Sequence, residues 1–171
     1  MNSIYSNLAE RLRGELTDLE QVVSRALQSW SLIQKTPQEQ FAFVDSVALN
    51  LHSLYSGLER LFELIARHID RELPKSDTWH RDLLEQMAQD IPDTRPAVLS
   101  RETASATDEF RRFRHLVRNV YALELAPGKM AVLMATLPEL WPKIRAELLA
   151  FADFMDALDT SIQNADAPQS D

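Results

Sequence analysis

Between Ser3 and Lys35 the apolar residues Leu8, Leu12, Leu16, Leu19, Val22, Val23, Leu27, Trp30 and Ile33 recur at three- and four-residue steps. That period lines them up along one stripe of an α-helix and predicts a first long helix over this span. Thr36-Pro37 followed by Gln38-Glu39 reads as an N-cap with proline at the first helical position, where its missing N–H sacrifices no bond. The second helix that this opens runs to about Arg71 and ends at Leu73-Pro74. Its stripe of Phe41, Val44, Val47, Leu51, Leu54, Tyr55, Leu58, Leu61, Phe62, Ile65 and Ile69 is broad enough for the middle of a bundle.

Ser76-Asp77 caps a short third helix over about Thr78 to Gln89, and Ile91-Pro92-Asp93-Thr94-Arg95-Pro96 reads as a rigid loop. A fourth helix follows over roughly Ser100 to Leu125, then a turn at Pro127-Gly128. The fifth helical region, Lys129 to about Leu158, is expected to kink or break where Pro138 and Pro142 remove backbone donors. The pattern predicts an all-α fold, an antiparallel bundle of about five helices in a single domain over residues 1–160. The polar tail 161–171 has no apolar stripe to dock it and is expected to be disordered.

Composition supports this picture: Gly is rare, at 3 residues, and the sequence is rich in residues that lose little on entering a helix. The absence of cysteine excludes disulfides, thiolate metal sites and a cysteine nucleophile, and leaves the cytoplasm as the default compartment. The N-terminal stretch carries no apolar run of the signal-peptide or membrane-span kind, so neither export nor membrane insertion is expected. No His-x-x-x-His pair or Gly-rich loop is present, so neither a metal site nor a nucleotide cofactor is expected. Trp30, Trp79 and Trp141 are assigned to packing, and His52 and His80 to structural hydrogen bonds.

The formal net charge of -8 opposes nucleic-acid binding by the body as a whole. Charge is unevenly placed, however. Arg111, Arg112, Arg114 and Arg118 follow one another closely, with no acid between Glu109 and Glu124. At about 100° per residue, Arg111, Arg114, His115, Arg118 and Asn119 share one arc of roughly 140°, opposite Phe110, Phe113, Leu116, Val117, Val120 and Leu123. Tyr121 sits at the boundary beside Arg114. Two readings fit: a solvated arginine stripe, or a phosphodiester site that combines guanidinium groups, an imidazole, a carboxamide and a phenol.

The segments Leu51-His52-Ser53-Leu54-Tyr55-Ser56-Gly57-Leu58-Glu59-Arg60, Trp79-His80-Arg81-Asp82-Leu83-Leu84 and Phe113-Arg114-His115-Leu116-Val117-Arg118-Asn119-Val120-Tyr121 resemble the HepT-like branch of the HEPN superfamily. Its members are helical ribonucleases, many of them toxins paired with a small nucleotidyltransferase antitoxin. The family signature is an Arg, usually followed by a polar residue, then a His after four to six positions and, in the HepT form, a Tyr two beyond that His. Arg114, His115 and Tyr121 match the Arg, the polar residue and the Tyr, while Asn119 stands where the His belongs. The motif here is therefore Arg-x4-Asn-x-Tyr.

The resemblance implies a homodimer in which the motifs of two subunits meet, and metal-independent cleavage of RNA. Arg114 would steady the phosphate, with Arg111 and Arg118 as further phosphate contacts. Asn119 cannot exchange a proton at ordinary pH and is limited to orienting groups, which leaves His115 for proton transfer. In HepT-type pairs the antitoxin adenylylates the motif Tyr, here Tyr121; a boundary tyrosine with its ring in the core is the alternative. Tyr55 and Glu59-Arg60 either support the fourth helix from behind or reach the site, and Glu59 is placed to pair with an arginine of the patch. The alternative function is a non-catalytic HEPN-like binding module or partner subunit of a nucleotidyltransferase, which Asn119 favours.

Overall fold

A computed structural model describes residues 3–119 and 127–165. The described residues form five α-helices: α1 (Ile4–Lys35), α2 (Gln40–Ile65), α3 (Trp79–Met87), α4 (Arg101–Asn119) and α5 (Pro127–Ala165). Among the described residues there is no strand; Ile91 and Arg95 form one isolated antiparallel bridge. No described helix is long and apolar enough to cross a membrane.

The predicted stripes become the core. Leu8, Leu12, Leu16 and Leu19 of α1 pack with Leu51, Leu54, Leu58, Leu61 and Phe62 of α2 and with Leu137, Leu148 and Met155 of α5, all buried. Ser3 caps α1 by accepting from the backbone N–H groups of Tyr5 and Ser6. Pro37 opens a short 3₁₀ turn ahead of α2, which itself begins at Gln40, while Thr36 makes no side-chain cap there because its Oγ1 donates to the Leu32 carbonyl at 3.1 Å. At Gly57 α2 leaves no room for a side chain against α1: a Cβ there would lie 2.5 Å from Cδ2 of Leu19.

The end of α2 widens into a π-helical turn over Ala66–Asp70, closed by Arg71 in the left-handed region at φ 60°. This turn delivers Asp70 to Arg95, whose Nε and Nη2 donate to Asp70 Oδ1 and Oδ2 at 2.5 and 2.8 Å. Both side chains are essentially inaccessible, at 0% and 1%. Arg95 also donates to the carbonyls of Gln86, Gln89 and Pro96, satisfying the end of α3 and the loop around it. Val98 and Leu99 donate their backbone N–H groups to the Met87 carbonyl, leading the chain into α4.

The entry to α4 is fixed twice. Ser100 Oγ accepts from the Thr103 N–H at 3.1 Å, and Glu147 of α5 accepts from the Ser100 N–H and from Thr103 Oγ1 at 3.0 and 2.9 Å. The described part of α4 ends at Asn119; the expected stretch to Leu125 lies outside the described residues.

The fifth helix differs from its prediction at three points. Pro127 and Gly128 are already helical rather than a turn. Helix continues through Pro138 and Pro142 without a break. The two prolines are four residues apart and both exposed, so they share the outer face, while Leu137, Leu140, Trp141 and Ile144 hold the inner face in the core. The helix also runs past its expected end near Leu158 to Ala165, and residues 166–171 of the tail lie outside the described residues.

Candidate functional site between α2 and α4

Side-chain burial on α4 begins with residues of small volume. Thr103, Ala104 and Thr107 are buried, and Thr107 Oγ1 turns back to donate to the Thr103 carbonyl at 2.7 Å. At about 100° per residue from Arg111, Thr103 falls near 280°, Phe110 near 260°, Thr107 near 320° and Arg114 near 300°. Arg114 thus continues the buried stripe instead of standing on a solvated face, and its side chain is only 14% exposed.

Its guanidinium is held from α2. Nε donates to Ser56 Oγ at 2.9 Å, and Nη1 lies 3.1 Å from Glu59 Oε1. The Tyr55 ring lies beneath it, with Cζ 5.9 Å from the ring centroid. Ser56 and Glu59 are three residues apart and so project from one side of α2, where both reach the same guanidinium.

Glu59 has a side chain only 5% exposed and takes a second partner from α3: His80 Nδ1 lies 2.6 Å from its other oxygen. The His80 ring stacks on Trp79, with centroids 3.6 Å apart. A buried carboxylate thus joins α2, α3 and α4 at one point. A carboxylate so far from water is tolerable only with such partners.

The Tyr55 hydroxyl is buried with no hydrogen-bond partner among the described residues. Burial first, and the nearby Glu59 charge second, raise its pKa well above the ordinary tyrosine value. Tyr55 is therefore un-ionised and acts through its ring.

The remaining cations divide by position. Arg111 is 19% exposed and pairs with Asp108 at 2.6 Å, and Arg112 pairs with the other Asp108 oxygen at 2.8 Å and with Glu109 at 3.3 Å. His115 and Arg118 are exposed. Arg118 has no ion pair among the described residues. Arg114 and Arg118 add to burial, the larger cause, in lowering the pKa of His52 on α2, so His52 is biased to the neutral form. Asn119 is helical, but its side chain, like the whole of Tyr121, lies outside the described residues. Among the described residues no group of three or more His, Asp or Glu side chains is placed to hold a metal ion.

The predicted site residues are therefore not one open patch. The structure brings Arg114 together with Ser56, Glu59, Tyr55 and His80, pairs Arg111 locally, and leaves His115 and Arg118 on the exposed side. The pairing of Glu59 with an arginine of the run is as the sequence suggests, whereas Arg60 turns away toward Glu15, 3.8 Å distant. Ser56 and Asp108 carry roles that the sequence reading did not assign. For Asp108 a signal was present, since it precedes Arg111 and Arg112 by three and four positions on a helix. A groove of about 440 Å³ lies between α3 and α4, lined in part by Arg81, Arg101, Asp108 and Arg112.

A family model described as HepT-like protein matches residues 46–155, a span that takes in most of α2, all of α3 and α4, and most of α5. No curated protein and no solved structure matches the chain.

Proposed function

The chain belongs to the HepT-like protein family, and from that premise we propose that it is the toxin of a toxin–antitoxin pair, a metal-independent endoribonuclease that meets RNA through α4. The observation that carries the reading is the placement of three groups within two adjacent turns of α4. Arg114 is anchored from α2, while His115 and Arg118 are presented outward. Arg118 supplies a mobile phosphate contact, and Arg114 supplies a fixed positive charge behind it.

The chemistry this set supports is intramolecular transesterification. A ribose 2′-oxygen attacks the adjacent phosphorus, the P–O5′ bond breaks, and the 2′-proton leaves as the 5′-oxygen gains one. The products are a 2′,3′-cyclic phosphate and a 5′-hydroxyl. His115 carries the imidazole of this set, the side-chain type suited to proton transfer. The cations stabilise the charge that builds on the non-bridging phosphate oxygens. Asn119 orients a phosphate or hydroxyl by hydrogen bonding.

The partners follow from the same reading. A second copy of the chain brings another α4 to the RNA, and a nucleotidyltransferase-type antitoxin silences the pair. Adenylylation of Tyr121 places an anion next to the cations of α4 and opposes RNA by charge and bulk. A compartment that contains RNA and the antitoxin, the cytoplasm, goes with this proposal.

A second reading is a non-catalytic RNA-binding module that serves as partner of the nucleotidyltransferase. Two observations favour it: Asn119 in place of an imidazole, and the neutralisation of Arg114 by Glu59. Incubation with single-stranded RNA in excess chelator, comparing wild type with Arg114→Ala and His115→Ala, separates the two. Cleavage by the wild type, lost in both variants, supports the enzyme; binding without cleavage supports the module. Absence of both binding and cleavage removes both readings.

A further inference from the structure

Arg114 would be a poor phosphate ligand if its side chain were free to choose its partner, because a buried carboxylate 3.1 Å away is already engaged with it. The same contact, however, engages only one of the guanidinium's terminal nitrogens. Nε is bound to Ser56 Oγ and Nη1 to Glu59 Oε1, and Nη2 makes no hydrogen bond to a described residue. A planar guanidinium held at two of its nitrogens, Nε by Ser56 and Nη1 by Glu59, has its plane and direction fixed from α2.

We infer that Glu59 is a positioning residue for Arg114, and that His80, backed by Trp79 on α3, holds Glu59 in the orientation this requires. The inference rests on the proposal that α4 meets RNA phosphate, and it adds that α3 is a working part of that site. Three details support the chain of contacts. Glu59 is buried, so neither partner faces competition from bulk water at the carboxylate. Its two oxygens are divided, Oε2 to His80 and Oε1 to Arg114, so the ring sets the carboxylate plane that the guanidinium meets. The His80 ring in turn cannot swing freely, because it is stacked at 3.6 Å on Trp79, itself packed against the core. Second-layer contacts of this kind hold functional groups in a productive geometry.

Position and not charge alone is at stake, and the two make opposite predictions. If Glu59 merely neutralised the site, Glu59→Gln would strengthen RNA binding by removing a negative charge. As a positioning residue, its loss weakens binding, and only while Arg114 is present.

The experiment has two arms on the full chain. In the first, a fluorescein-labelled single-stranded RNA of mixed sequence is titrated by anisotropy against wild type, Glu59→Gln, Arg114→Ala and the double variant. Glu59→Gln is expected to weaken binding about tenfold, the scale of a lost charge-assisted hydrogen bond, and to change it little in the Arg114→Ala background. In the second, the Arg114 Nε–H resonance, assigned by its loss in Arg114→Ala, is followed by nitrogen–proton NMR without RNA. It is expected to be protected from exchange in wild type and to lose protection in Glu59→Gln and in His80→Gln. The His80→Gln variant changes a side chain that is 30% exposed and keeps the test open if Glu59→Gln fails to fold.

Unchanged Nε–H protection in folded Glu59→Gln or His80→Gln overturns the positioning role. So does an equal loss of RNA affinity in the presence and absence of Arg114. Lost protection together with no RNA binding by the wild type leaves the positioning role standing and overturns the proposed function instead.

Discussion

Arg95→Met removes the cation from a buried pair that ties the end of α2 to the loop before α4. Asp70 would then keep only Gln86 Nε2, at 2.6 Å, as a partner in a site where its side chain is 1% exposed. The carbonyls of Gln86, Gln89 and Pro96 would each lose a donor. Breaking a buried pair from one side costs about 3–5 kcal/mol, mostly from the stranded charge. The lost carbonyl bonds, at about 1 kcal/mol each, are not independent of it. For a chain of 171 residues, about 3–5 kcal/mol corresponds to a fall of roughly 6–20 °C in Tm. Urea unfolding followed by circular dichroism gives the free energy and a thermal scan gives the midpoint. Adding Asp70→Leu should recover a large part of the loss, because it removes the stranded carboxylate. A cost below about 1 kcal/mol for Arg95→Met, or additive losses in the double variant, would refute the reasoning.

Two further outcomes follow from the helices that hold the site. Gly57→Ala gains about 1 kcal/mol of helix propensity but sets a methyl 2.5 Å from Cδ2 of buried Leu19. Overpacking costs about 1–3 kcal/mol, so a lower Tm is expected; an unchanged or higher Tm shows that Leu19 makes room. The His52 pKa is lowered on folding, chiefly by burial and then by Arg114 and Arg118. Below the unfolded value of 6.5 the unfolded chain takes the proton first, so this contribution is intact above that pH and is lost as pH falls toward the lowered folded value. Unfolding free energy measured from pH 8 to pH 5 should therefore decline less in His52→Asn than in wild type; parallel curves would contradict this.

The five helices were legible because their core stripes are long and apolar, and the proline start signal at Pro37 acts within a few residues. Contacts between segments distant along the chain were not. Nothing in Asp70 or Arg95 alone marks them as partners, since the π-helical turn and the loop that join them arise from tertiary packing. On α4, Thr103 and Thr107 count as polar in a periodicity reading, yet their short side chains let the helix pack closely, and Thr107 satisfies its own hydroxyl on the preceding turn. With those two threonines on the inner face, Arg114 belongs to the buried stripe. The angular separation from Phe110 is only about 40°, a figure that held this information once the first half of the helix was included. The prolines of α5 misled in the opposite direction. Their cost to the backbone is real, but with both on the outer face the inner contacts keep the helix continuous.

The central claim is that α4 meets and cuts an RNA phosphodiester, with Asn119 standing where the family motif has its proton-transfer group. Asn119→His tests it most directly, by the initial rate of cleavage of a labelled single-stranded RNA in excess chelator beside the wild type. Acid–base groups contribute on the order of 10²–10⁴ to such rates, so the variant is expected to cleave at least about tenfold faster, giving 2′,3′-cyclic phosphate and 5′-hydroxyl ends. An unchanged or lower rate in a folded Asn119→His variant, or cleavage by neither protein, would contradict the account.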